Sequence, residues 1–318
     1  MGTSREVDHT QSHGTVPGNG EGDDPALNRL AELQERYRKL ESRLSRRSQW
    51  SENFVGRELR MNTFRDDNCY VWQTRYFGED QVLKYLSYAD YIARSDTQGL
   101  LGVLSEDGAF GCERFYSDRF GWLSRDLLDS LNEIYFLDRH MNIFGREDLV
   151  VVDIGAGYGR LAHRMAEAVP GLARYYCLDG IPESTLVCET YLRFRGVERK
   201  TVALALDELH VVSDSRSPDL AVNIHSFSEM PYTAVDGWLS WLRDLRVPFL
   251  LIVPNDTNKP FSCEAIVDGI AVRRGLEPLL ERYGYQLASC EPIILDDRTR
   301  ELLACTNYFM LFELRESQ

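Results

Sequence analysis

The chain has 318 residues, of which 43% are hydrophobic, with 36 Lys and Arg set against 50 Asp and Glu for a net charge of −14. That length holds one large domain or two modest ones, and the acidic balance argues against duplex nucleic acid or an anionic membrane as a partner. No apolar run approaches the ~20 residues of a membrane span, and the 7 cysteines are scattered without a C-x-x-C or paired-histidine spacing, so reduced thiols and a cytoplasmic location are expected.

Residues 1–24 carry almost no large apolar side chain and read as a disordered tail. A charged helix follows over 25–47, opened by Pro25, with Leu30, Leu33, Tyr37, Leu40 and Leu44 at 3-4-3-4 spacing. Such a seam either pairs two subunits in a homodimer or lies on its own domain; the spacing fits both. Residues 48–145 show no alternating strand pattern and are rich in aromatics. Ser124 can cap a helix whose apolar face is Leu127, Leu128, Leu131, Ile134 and Tyr135. This stretch is expected to be a helical cap that binds a small-molecule acceptor, since flat rings suit organic ligands.

From residue 146 to 318 strands and helices alternate. Strand-like runs are 149–153, 174–179, 201–206, 219–224 and 249–254. Between them, Leu161, Met165 and Val169 share one helical face and Leu186, Thr190, Tyr191 and Phe194 share another, while Thr233 and Asp236 resemble a capping box. Buried runs joined by helices imply a parallel sheet covered on both faces. Runs 285–295 and 307–314 are joined by a short polar segment, so the last two strands should be antiparallel.

The first strand ends in Asp153 and runs into Gly155, Ala156, Gly157, Tyr158 and Gly159 before a helical pattern begins. A strand, a glycine turn and a helix N-terminus make a nucleotide cradle. A dinucleotide fingerprint, G-x-G-x-x-G, would need glycine at position 160, and Arg160 stands there. The spelling D-x-G-x-G-x-G instead suits a ligand that brings positive charge to the turn.

At these residues the chain resembles the class I S-adenosylmethionine-dependent methyltransferases, over roughly 149–314. The resemblance implies a Rossmann-like seven-stranded α/β sheet, mostly parallel with antiparallel last strands, preceded by the helical cap. It also implies S-adenosylmethionine as cofactor, with Asp153, Gly155, Ala156, Gly157 and Gly159 beneath its methionine and ribose. Asp179, with Gly180 beside it, matches the acid that accepts both ribose hydroxyls. Ile181 sits where the family packs an apolar side chain on adenine, Asp207 matches the acceptor for the adenine amine, and Asn223 completes the set. Asp219 reads as a strand-start residue.

The segment 223–235, beyond the fourth strand, resembles with the cap the sugar O-methyltransferases of polyketide and antibiotic pathways. Methyl transfer to a hydroxyl requires water exclusion, alignment and removal of a proton. A neutral imidazole is a natural base, and His225 is the histidine expected to reach the site. It either serves as that base, or hydrogen-bonds the backbone and packs against the cofactor. Glu229 orients His225, binds a sugar hydroxyl or caps the next helix. Glu229, Asn255 and Asp256 could offer oxygen ligands to a divalent ion, but no ordered metal motif joins them and none is expected. The expected function is O-methylation of a deoxysugar hydroxyl. The alternatives are a non-sugar hydroxyl of a polyketide or other small molecule, or a cyclase or binding role on the same fold.

Overall fold

In the computed structural model the described residues are 25–50, 55, 59–66, 79–255 and 257–315. The expected tail over 1–24 and Asp256 lie outside them. Seven strands form one sheet: β1 (Leu149–Ile154), β2 (Leu172–Leu178), β3 (Thr201–Leu204), β4 (Leu220–Ile224), β5 (Phe249–Val253), β6 (Tyr285–Pro292) and β7 (Tyr308–Leu314). Their order is β6-β7-β5-β4-β1-β2-β3. β3, β2, β1, β4 and β5 are parallel, while β7 enters antiparallel between β5 and β6. This order, with β7 reversed, is that of the Rossmann-like methyltransferase sheet.

Side chains alternate across the sheet, and each face has its own core. On one face Val151, Tyr175, Val222, Leu251 and Leu311 meet α3 (Arg125–Met141) and α4 (Arg160–Ala168). On the other Val152, Leu178, Leu250 and Phe312 meet Trp238, Leu239 and Leu242 of α6 (Tyr232–Asp244). α5 (Pro182–Arg195) links β2 to β3, begins on Pro182 and ends at Gly196 in the left-handed region.

Three features depart from the sequence reading. First, the helix expected over 25–47 ends earlier, as α1 (Pro25–Lys39), and of the two uses its seam allowed the structure shows packing within the chain: Leu33 and Tyr37 are buried in the second core. Arg29 pairs with Glu189 of α5 at 2.6 Å and Gln34 donates to Glu183 at 2.7 Å. Second, the region before residue 146 is neither purely helical nor a separate layer. It contains α2 (Glu79–Ala93) and a hairpin of Phe115–Ser117 and Gly121–Leu123, and the apolar face of α3 belongs to the same core as β1 and β7. Third, α6 starts after Pro231 with no side-chain cap. Asp236 is taken instead by Arg43 at 2.6 Å and by the Tyr283 hydroxyl at 2.8 Å. A second hairpin, Phe261–Val267 with Ile270–Gly275, stands outside the sheet; the sequence reading missed it, although Asp268-Gly269 between two apolar runs is a hairpin-turn signal. No described helix is long and apolar enough to cross a membrane.

Candidate functional site

The carboxyl ends of β1, β2, β4 and β5 open into a cavity of about 520 Å³, within the range of small-molecule sites, about 300–1,000 Å³. This is where open α/β sheets bind ligands, because the strand order reverses between β1 and β4.

One end of the cavity is backbone. Gly155, Ala156 and Gly157 line it, together with Asp153, Asp179, Gly180 and Ile181. Gly155 has φ +76, and a Cβ there would meet the Ser226 hydroxyl at 2.1 Å, so both the conformation and the close approach demand glycine. Gly159 plays a different part from the one expected. It does not line the cavity, and its missing Cβ makes room for Cys188 of α5, which a methyl group would meet at 2.9 Å. The glycine at this position sets helix packing.

Asp179 is held by two backbone donors, Gly157 N–H at 3.2 Å and Ile181 N–H at 3.0 Å. Burial outweighs these bonds and pushes its pKa up to about 7. Asp153 is also raised to about 7 by burial, against a 2.8 Å bond from the Tyr175 hydroxyl. The backbone carbonyl of Asp179 accepts from Tyr37 of α1 at 3.0 Å, so the helix outside the sheet steadies this turn.

Two expected members are elsewhere. Asp207 does not line the cavity; its carboxylate is taken by Arg36 of α1 at 2.8 and 2.5 Å. Asn223 is fully buried and also outside the lining. Its amide donates to the Ile154 carbonyl at 2.8 Å and its Oδ1 accepts from Phe227 N–H at 2.9 Å. That clamp shapes the turn after β4.

The clamp has a consequence at His225, which adopts φ 66 and ψ −34. Positive φ is costly for a residue with a Cβ and, where the surroundings enforce it, marks a candidate working site. The imidazole lines the cavity, and its Nδ1 is buried without a hydrogen-bond partner among the described residues. Burial, with the nearby Arg125 and Arg160 cations, lowers its pKa to about 3, so the ring is neutral in ordinary buffers.

Around His225 the other end of the cavity is made of side chains. Arg160 makes paired bonds to Glu133 at 2.9 and 2.7 Å and reaches Ser130 at 2.8 Å. Burial nonetheless raises Glu133 to about 7. Arg125 donates to Asp129 at 3.3 Å, and Asn132 to the Tyr88 hydroxyl at 3.0 Å. Ile293, Leu303 and Phe309 add an apolar wall. The sequence reading missed these polar residues, although a signal existed: Asp126, Asp129 and Glu133 recur at helical spacing and share one face of α3.

A strap closes the cavity from outside. Residues 40–50 leave α1 and run past the carboxyl ends of β2 and β4, where Leu44, Arg46, Arg47 and Trp50 line the cavity. The Leu44 carbonyl lies over Gly180, 3.1 Å from where a Cβ would stand. Glu229 anchors the far end of the strap: its carboxylate accepts from the Trp50 indole at 2.8 Å and from Asn255 at 3.3 Å. Its carbonyl accepts from Ser48 Oγ at 3.0 Å. Glu229 is therefore committed to the strap, and among the described residues its carboxylate makes no bond to His225. Also among the described residues, no group of three His, Cys, Asp or Glu could hold a metal ion.

No family model matches the chain, and no curated protein matches it. Among solved structures it is similar to a SAM-dependent methyltransferase from Aquifex aeolicus: 13% identity, 56% of this chain, 89% of that one, TM-score 0.40. It is similar to the [4+2]-cyclase SpnF at 14% identity over 76% of this chain and 98% of that one, TM-score 0.45. A third is the magnesium protoporphyrin IX methyltransferase of Synechocystis PCC 6803 with bound SAM, at 12% identity over 76% and 100%, TM-score 0.39. The likenesses are distant in each case, and the fold assignment rests on strand order and direction.

Proposed function

We propose that this protein is an S-adenosylmethionine-dependent O-methyltransferase whose acceptor is a sugar hydroxyl, typically of a deoxysugar joined to or destined for a secondary metabolite. The residues fit the cofactor. Asp179 offers a carboxylate to a vicinal diol, Ile181 an apolar face to the base, and Gly155 and Gly157 a turn without side chains. Asp153 places a buried acid where the cofactor brings positive charge. When bound, the cofactor supplies an electrophilic methyl group on a sulfonium.

The observation that carries the reading is His225, a neutral imidazole at strained φ, with an unpartnered Nδ1, in the same cavity as the glycine turn and Asp179. As the acceptor oxygen attacks, its proton becomes strongly acidic, so even a base of lowered pKa can take it. His225 performs that transfer in this account. The polar groups of the acceptor end, Asp129, Asn132, Arg125 and Tyr88, suit the several hydroxyls of a sugar, and the apolar wall suits a deoxy carbon or an attached aglycone. The strap excludes water from the reacting atoms.

The test is incubation with methyl-labelled cofactor and a panel of glycosylated metabolites, nucleotide sugars and sugar-free aglycones. Label on a sugar oxygen is the expected result. Label on an aglycone hydroxyl alone overturns the sugar assignment, and no transfer to any acceptor, with cofactor bound, overturns the methyltransferase reading. Chelation by EDTA should leave the rate unchanged; loss restored by Mg²⁺ would move the chemistry to Glu229 and Asp256.

A further inference from the structure

Arg47 lies midway along the strap, between Leu44 over Gly180 and Trp50 on Glu229. Other arginines of this segment are paired: Arg29 with Glu189, Arg36 with Asp207, and Arg43 with Asp236. Arg47 lines the cavity, and among the described residues its Nη1 is buried without a hydrogen-bond partner and it makes no ion pair. Buried guanidinium N–H groups are normally satisfied, and an unsatisfied one facing a cavity marks a place for an anion.

Resting on the cofactor reading above, we propose that Arg47 binds the α-carboxylate of the methionine portion of S-adenosylmethionine. The choice follows from charge. The sulfonium and the ammonium would repel a guanidinium, the ribose diol has Asp179, and the adenine has Ile181 and the backbone of the strap. The carboxylate is the one anionic group left to place. The acceptor is a poorer candidate, because its end of the cavity is bounded by α3 and the segment joining β6 to β7, whereas Arg47 is near enough to Asp179 to lower the pKa of that carboxyl. Closing the strap and gripping the amino-acid end of the cofactor would then be one event.

Calorimetric titration tests this with three probes on the full chain: S-adenosylhomocysteine, decarboxylated S-adenosylmethionine and 5′-methylthioadenosine, which lacks the whole amino-acid part. Arg47→Ala should weaken S-adenosylhomocysteine by roughly 10- to 100-fold, the range for a charged hydrogen bond, and affect the other two far less, through Asp179 alone. Arg47→Gln, closer in shape and uncharged, should repeat the pattern, and Arg47→Lys should recover part of the loss. A matched melting temperature confirms that the variants are folded. Equal weakening of all three probes would mean that Arg47 acts through Asp179 or the fold, and unchanged S-adenosylhomocysteine affinity would mean no carboxylate contact; either overturns the assignment. If the unaltered chain binds methylthioadenosine but not S-adenosylhomocysteine, the arginine assignment fails alone, and if it binds none of the three, the cofactor reading falls with it.

Discussion

At its proposed cofactor end the cavity is walled by main chain: the Gly155–Gly157 turn, the Asp179–Ile181 turn and the strap carbonyl over Gly180. At its proposed acceptor end it is walled by side chains, Arg125, Asp129, Asn132 and Glu133 of α3 with Arg160 of α4 and His225. The first end is rigid because backbone turns on buried strands leave little freedom. The second is a network of ion pairs and amides whose order depends on every member being satisfied. Loss of a group should therefore act on affinity at the first end and on turnover at the second.

The largest effect is expected at His225. His225→Ala should lower kcat by roughly 10²–10⁴, the usual contribution of a general base, while S-adenosylhomocysteine affinity holds within a factor of two or so. Steady-state kinetics paired with calorimetry separates the two. Comparable losses in both would erase the distinction between the ends. Because burial and the two arginines keep the His225 pKa near 3, its protonation should not shape the rate profile between pH 5 and 9.

Next is Asp179. Its replacement by Ala should cost about 1.5–3 kcal/mol of cofactor affinity, the worth of charged hydrogen bonds. The carboxyl accepts two ribose hydroxyls only when ionised, and its pKa is raised to about 7. Affinity should thus be full above pH 7 and fall as pH drops below it, by up to about tenfold per unit from this group. Asp153 titrates in the same range and adds its own slope. Asp179→Asn should remove one proton's share of the pH dependence of binding, and an unchanged slope would show that Asp179 does not meet the cofactor.

The smallest effect is expected at Asp207. The family resemblance implies a contact with the adenine, but its carboxylate is held by Arg36 at the surface, so Asp207→Ala should change stability by about 0–1 kcal/mol and leave cofactor affinity alone. A loss of affinity as large as that of Asp179→Ala would restore the contact expected from the sequence and extend the cofactor end beyond β3.

This difference between the ends also explains what could be read in advance. The sheet, its reversed last strand and the turns at Gly155 and Asp179 were legible because buried strands and glycine turns impose local spacing. Asn223, Gly159 and Glu229 carried the right residue types at the right places, yet the structure uses them as a turn clamp, a helix-packing gap and a strap anchor. Spacing cannot separate such roles from ligand contact. The strap was harder still. Arg47 and Trp50 reach residues more than a hundred positions away, and an amphipathic seam gives no hint of whether it meets its own domain or a second chain. Here Leu33 and Tyr37 answer that by being buried within the chain.

The central claim is that one cavity, centred on the glycine turn and Asp179, holds S-adenosylmethionine. Calorimetric titration of the purified chain with S-adenosylhomocysteine at pH 8 tests it most directly, with Asp179→Ala alongside. The account predicts saturable binding at one ligand per chain and a loss of affinity of the size given above in the variant. Absence of binding to the unaltered chain, or equal binding by both proteins, would contradict it.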